Sequence, residues 1–385
     1  MSSEVNLLQT SHPATFAIDA SSANKQKRTG VENYAFHLIE ALKLQPLLDD
    51  EQVVLFSPTP LEGTLASLPS GWQSYVLAWP FKKAWMQGRV TWELFRRPAD
   101  VLFVPAQGLP HFGRRLVTTI HDVAYARTPH LYEPSTRKRI ASTTKRSIKK
   151  AVHLLTVSQF TKQELMSLSH VPGEKITVTP LAADTQIYHR LDAQVVEKVL
   201  QTHRLSRHFF LSVGRLEKKK NTVMLIRAFE LFKQNRGIGD PFELVLIGEP
   251  GFGFEEIKAY ITNSSARESI RVLGYLPDAD VAALMNIATA FLFPSWYEGF
   301  GIPTLEAMSC GTAVFASDIP AHHEVAADAA LFISPEPEAW AKQMSRIAED
   351  PGIRDALVAK GTARAAQFSW EQTAKSTWEV LRSLV

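Results

Sequence analysis

The chain predicts an α/β protein built from two doubly wound domains, and three observations carry that expectation. Short apolar runs alternate with helical patterns along the whole length, which is how parallel strands joined by crossover helices read. The alternation pauses near residues 185–207 and then restarts, so the halves form separate sheets. With 385 residues and 45% hydrophobic content, the chain can fill two ordinary cores at about 150 residues per domain.

In the first half, the runs at 15–19, 53–56, 101–104, 116–120, 154–157 and 176–178 are strands, too short for helices and bounded by turn residues. Helices are expected at 31–44, 134–150 and 160–168. The second half repeats the scheme with strands at 209–213, 242–247, 270–273, 290–293, 313–315 and 331–333. Domains are therefore placed at 1–190 and 191–368. Ser369 suits the N-cap of a final helix, 369–385, because its hydroxyl can accept from a first-turn amide. Ligands of open α/β sheets bind beyond the carboxyl ends of the strands, so two facing sheets define a single cleft.

Composition narrows the functional classes. A lone cysteine, Cys310, excludes an intrachain disulfide and reads as a small buried residue. No stretch of 18 apolar residues and no positively charged, apolar leader occurs, so the expectation is a soluble, cytoplasmic protein. Net charge is +3 but unevenly spread: residues 1–190 hold 22 Lys and Arg against 15 Asp and Glu, the remainder 20 against 24. Much of the excess lies in 136–150, with seven basic residues and no acid. At helical spacing these cations share a face opposite Ile140, Ile148 and Ala151, as in a helix lying on an anionic surface. Phospholipid or a lipid diphosphate fits that charge, and the expectation that follows is a peripheral location on the inner membrane face. Nucleic acid does not fit, since no aromatics interleave with the cations.

The densest chemistry lies at Ser295–Gly311. Glu298 falls in a glycine-rich loop and Glu306 one turn inside the helix that the loop launches. Gly299 and Gly301 permit close backbone approach, and Pro303 suits a helix start. A helix N-terminus framed by two acids attracts phosphate through its amides, while its carboxylates accept hydrogen bonds from sugar hydroxyls. Upstream, Arg215 and Lys220 follow a strand and offer a planar fork and a point charge for one diphosphate. Lys218 and Lys219 read as solvated neighbours. Asp278-Ala-Asp280 is better explained by an N-cap and first-turn acid than by a metal, and the adjacent His322-His323 lack ligand spacing. The absence of Gly-x-Gly-x-x-Gly after the first strand argues against a nicotinamide oxidoreductase.

These segments together resemble the family 4 glycosyltransferases, retaining enzymes of the two-domain GT-B fold, whose halves are Rossmann-like. Ser295–Gly311 resembles their double-glutamate signature, and Ser212–Asn221 their arginine-lysine segment. Thr29–Tyr34 resembles their N-terminal glycine loop, and Thr119–Val123 their histidine motif. The resemblance implies an acceptor-binding first domain with helix 369–385 packed back on it, and a second domain that binds a nucleotide-sugar donor. It assigns catalysis to Glu298, His121, Arg215 and Lys220. It assigns donor binding to Gly30, Gly248, Tyr275, Leu276, Gly299, Phe300, Gly301, Ile302 and Glu306 as well, with Glu306 on the ribose and Glu298 on the transferred sugar. Tyr275 and Leu276 would bracket the base. No metal or other cofactor is implied. The acceptor implied is a glycan or a polyprenyl-diphosphate-linked saccharide, as for bacterial mannosyl- and rhamnosyltransferases of surface polysaccharides, with GDP-mannose the leading donor and a UDP- or dTDP-hexose the alternative. A GT-B epimerase, a phosphorylase or a binding-only module remain alternatives.

Overall fold

The computed structural model describes residues 13–81, 83–237 and 239–385. Seven parallel strands form the first sheet: β1 (Ala14–Asp19), β2 (Glu51–Ser57), β3 (Trp72–Val76), β4 (Val101–Val104), β5 (Arg115–Ile120), β6 (His153–Thr156) and β7 (Ile176–Val178). Their order is β3-β2-β1-β4-β5-β6-β7. Six more form the second: β8 (Phe209–Val213), β9 (Glu243–Ile247), β10 (Ile270–Gly274), β11 (Ala290–Phe293), β12 (Val314–Ser317) and β13 (Ala330–Ile333), in the order β10-β9-β8-β11-β12-β13. Both are doubly wound, as the alternation predicts. Each reverses direction beside its first strand, at β1/β4 and β8/β11, where the crevice of such a sheet opens.

Central strands β4 and β11 are buried at every position, so they read as unbroken apolar runs. Strand β3 escaped the sequence reading because it is an edge: Trp72 is buried, but Gln73 and Ser74 face water. The final helix, Trp370–Arg382, lies against the first domain, with Ser369 accepting from the Gln372 amide at 3.1 Å. Trp378 packs edge-on to Phe16 with 5.2 Å between ring centres, and Arg382 forks onto both Glu51 oxygens at 2.8 Å.

Helix Pro134–Lys150 forms as expected, started by Glu133, whose carboxylate accepts from the Ser135 and Thr136 amides at 3.0 and 2.7 Å. Its apolar side is spent on its own domain, where Thr144, Ser147 and Ala151 are buried and Ile148 packs on the core. The helix therefore offers cations outward but no apolar face for lipid. Among the described residues, no helix is long and apolar enough to cross a membrane.

Candidate active site

From Phe293, at the end of β11, the chain turns through 294–301 into helix Ile302–Ser309. Gly301 caps that helix with φ 106°, a left-handed conformation that side chains resist. Glu298, 9% exposed, accepts a hydrogen bond from Lys220 Nζ at 2.6 Å. The ammonium lies 4.9 Å from the Phe293 ring centre. Burial pushes the Glu298 carboxyl up, but the charges of Lys220 and Lys219 more than offset it and hold the group at about 2. Glu298 is thus ionised throughout the neutral range and can only accept hydrogen bonds.

The first domain closes directly on this loop. A Cβ on Gly299 would stand 1.9 Å from the His121 carbonyl oxygen, so only glycine allows the contact. Ser158 Oγ donates to the Gly299 carbonyl at 2.5 Å, and Thr161 Oγ1 reaches the Gly299 and His121 carbonyls at 3.2 and 3.3 Å. The imidazole of His121 donates from Nε2 to the Pro105 carbonyl at 3.0 Å and meets the Tyr34 ring edge-on at 4.7 Å. Burial lowers its pKa, so the ring is neutral at neutral pH. Its backbone carbonyl, not the ring, is what faces the donor loop.

The remaining predicted residues surround this junction. Arg215 is exposed at the cleft, with one N–H on the Pro250 carbonyl at 3.2 Å. Gly248 acts through the backbone alone: its φ is 145° and a Cβ would meet the Gly214 carbonyl at 2.0 Å, where the two loops cross. Tyr275 is 45% exposed, and Lys27 reaches from the first domain to 5.3 Å from its ring centre. Leu276 is half-buried against the core. Phe300 packs edge-on to Phe368 at 5.9 Å between centres, and Ile302 is the first residue of the helix. Gly30 starts helix Gly30–Lys43, with open space around its Cα.

Glu306 stands in an acidic neighbourhood. Burial, then Asp278 and Asp184, push its carboxyl up to about 8. The N-cap is Pro277, not Asp278, and Asp278 and Asp280 are both first-turn acids; the Asp278 charge bears on Glu306, and the charges of Arg28 and His37 of the first domain bear on Asp278. Asp280 instead accepts from His203 at 3.0 Å. His322 is fully buried, His323 pairs with Asp318 at 2.6 Å, and Glu324 turns toward the first domain, so the three point to different places. Among the described residues, no three His, Cys, Asp or Glu side chains could together hold a metal ion.

Two family models match in series: Glycosyltransferase Family 4 over residues 28–187 and Glycosyl transferases group 1 over 198–364. O-antigen chain mannosyltransferase B of Escherichia coli is 30% identical over 378 residues, covering 97% of this chain and 90% of that one. The chain is a family 4 glycosyltransferase. Solved structures bear out the GT-B fold of this glycosyltransferase. WaaG, a glycosyltransferase involved in lipopolysaccharide biosynthesis, matches with TM-score 0.72 at 17% identity, covering 95% of this chain and 99% of that one. HepE of Anabaena, solved with UDP and glucose, matches with TM-score 0.72 at 19% identity, covering 97% and 100%.

Sequence reasoning missed several residues of this transferase. Lys219 is not solvated: its side chain is 15% exposed and stands 3.7 Å from Asp122 in the opposite domain. Burial would lower its pKa, but Asp122 and Glu298 raise it, so the ammonium is fixed between the domains. Lys218, by contrast, is exposed and pairs with Glu256, as a solvated neighbour should. Glu324 caps helix Gln159–Ser169 across the domain boundary, accepting from the Gln159 and Phe160 amides at 2.6 and 2.8 Å. Tyr297 inserts among first-domain side chains, 5.4 Å between ring centres from Phe160. Each signal depends on a distant partner, so only the double lysine before Lys220 was available to reading along the chain.

Proposed function

We propose that this glycosyltransferase moves a hexose, with mannose from GDP-mannose the leading case, onto a glycan or polyprenyl-diphosphate-linked acceptor in O-antigen or lipopolysaccharide assembly. The single observation that carries the reading is the Lys220–Glu298 pair set against the His121 carbonyl at the meeting of the domains. The mannose assignment is supported by the relative whose name specifies a mannosyltransferase.

In this reading Lys220 leaves Glu298 for the donor diphosphate, joined there by Arg215 and the amides at the start of helix Ile302–Ser309. Negative charge develops on that leaving group, so fixed cations act where the transition state needs them. Freed Glu298, kept ionised, accepts from hydroxyls of the transferred sugar. Glu306 accepts from the ribose diol, and Tyr275 and Leu276 flank the base. The acceptor hydroxyl enters from the first domain on the face the diphosphate leaves, passes its proton to the departing phosphate, and the anomeric configuration is retained. Glu298 is no nucleophile in this scheme. No metal is required, since cations and oriented amides neutralise the diphosphate. The protein works at the inner face of the membrane, held there by its basic helix.

The test is transfer of radiolabelled mannose from GDP-mannose to a water-soluble saccharide acceptor, with the product anomer read by NMR. Glu298→Ala and Lys220→Ala should each cut transfer at least about 100-fold with the fold intact. Inversion, a requirement for divalent ions after chelation, or thermal stabilisation by UDP sugars alone would each overturn the corresponding part.

A further inference from the structure

The proposed reaction leaves one exposed surface unused. Phe81, Trp92, Phe95 and Phe112 are 67%, 56%, 69% and 47% exposed. They are not scattered. Trp92 stacks on Phe95 and Phe95 meets Phe112, each pair with 6.2 Å between ring centres, while Phe81 meets Trp79 at 5.3 Å. Trp79 in turn presses on the backbone at Gly88, one turn before Trp92. A contiguous exposed apolar patch of this kind marks an interaction face.

Hydrogen bonds tie the patch to the basic helix. Lys150, at the end of helix Pro134–Lys150, donates to the His111 carbonyl at 2.6 Å, beside Phe112. The His111 amide donates to Thr91 Oγ1 at 3.0 Å, beside Trp92. Thr144 Oγ1 donates to Gln107 Oε1 at 2.9 Å. Among the described residues, none of the seven cations of that helix lies within ion-pair distance of a carboxylate, whereas Arg114 and Arg127 nearby are both paired. Unneutralised cations beside clustered rings complement an anionic, partly apolar surface. The same loop leads back to Pro105, whose carbonyl holds His121, so the patch borders the acceptor side of the cleft.

We infer that Phe81, Trp92, Phe95 and Phe112 form an aromatic wedge which, with the cations of helix Pro134–Lys150, docks the first domain on an anionic phospholipid bilayer. This rests on the reading above of a protein at the membrane, and it changes the means. The helix supplies only charge, because its apolar side is buried, and the rings of another element enter the interface, where tryptophan and phenylalanine settle. The docked pose turns the mouth of the acceptor site toward the lipid, where a polyprenyl-linked acceptor resides.

The experiment is cosedimentation of the full chain with vesicles of phosphatidylethanolamine and phosphatidylglycerol, against phosphatidylcholine vesicles, across a salt series. Wild type should bind the anionic vesicles and not the zwitterionic ones. The triple variant Trp92→Ser, Phe95→Ser, Phe112→Ser should lose at least roughly tenfold in partitioning while its residual binding keeps the salt dependence. The pair Lys138→Glu, Arg139→Glu removes two cations and adds two anions, so at about 1 kcal/mol per charge it should lose at least roughly 30-fold and show a shallower salt dependence than wild type. Both variants should transfer sugar to a water-soluble acceptor at the wild-type rate, which separates this inference from the proposed reaction. If soluble transfer fails in wild type while vesicle binding holds, the reaction falls and the docking stands. Equal vesicle binding by wild type and the triple variant would overturn the wedge. So would a concentration-dependent dimer in sedimentation that the triple variant abolishes without any change in lipid binding.

Discussion

Replacing Gly299 by alanine should disable the enzyme without unfolding it, and the size of the effect follows from one contact. The added Cβ would stand 1.9 Å from the His121 carbonyl oxygen, where ordinary contact begins at 3.4 Å, so about 1.5 Å of relief is needed. Gly299 and His121 belong to different domains, and Gly299 is not among the residues with positive φ, so the backbone itself accepts alanine. Relief therefore comes from parting the domains, not from disturbing either core. A misplacement of about 1 Å at a reacting centre can cost on the order of 100-fold, or about 2.7 kcal/mol of barrier. The expected result is kcat/KM down by at least that factor in the labelled-mannose assay, with Tm within about 2 °C of wild type. Gly239→Ala is the control, since nothing lies within 4 Å of the position where its Cβ would go and it has no part in the site. Turnover within a few-fold of wild type in Gly299→Ala would refute the claim that this domain contact is the working geometry. A collapse of Tm would refute the claim that domain movement absorbs the clash.

Lys219→Met should lower kcat more than it raises donor KM, on the order of tenfold, because it removes the cation fixed between Asp122 and Glu298. Lys219→Arg should restore most of the rate; an inactive arginine variant would show that charge alone is not the role. Donor KM should fall as pH rises toward about 8 and then level, since the ionised Glu306 is the form proposed to accept from ribose. Asp278→Asn removes one of the charges that raise Glu306 and should move that inflection to lower pH; an unmoved profile would detach Glu306 from donor binding. The same shift has a stability sign. Folded Glu306 keeps its proton above the ordinary 4.5, so its stabilisation is complete below 4.5 and is lost as pH rises through about 8. Urea midpoints at about pH 5 and about pH 9 should show that decline, and Glu306→Gln should flatten it.

How much was legible follows from the range of each interaction. Strands β7, β8 and β11 and helix Pro134–Lys150 were read to the residue, because their burial or charge repeats locally. Edge strand β3 was invisible because three of its five positions face water. At the site, Glu298, Lys220 and Arg215 stand in compact motifs whose chemistry is self-contained. Lys219, Ser158, Thr161 and Glu324 do not, since their partners lie 97 to 165 residues away and in the other domain. Asp278 is the helix-start acid its place along the chain suggests, but its charge also acts on Glu306, which a reading along the chain does not show.

Glu324 gives helix Gln159–Ser169 a start that its own domain does not provide in full. Two of the four amides a helix leaves unpaired at its beginning are satisfied from across the cleft, with the remaining help from Ser158 Oγ on the Thr161 amide at 3.0 Å. Whenever the cleft opens to admit donor or release product, those two amides pass to water, and the first turn of the helix becomes free to fray. The secondary structure of one half of the enzyme is therefore a function of the position of the other. Exchange of the Gln159 and Phe160 amide hydrogens becomes a native clock for the catalytic cycle, protected when the halves meet and exposed when they part.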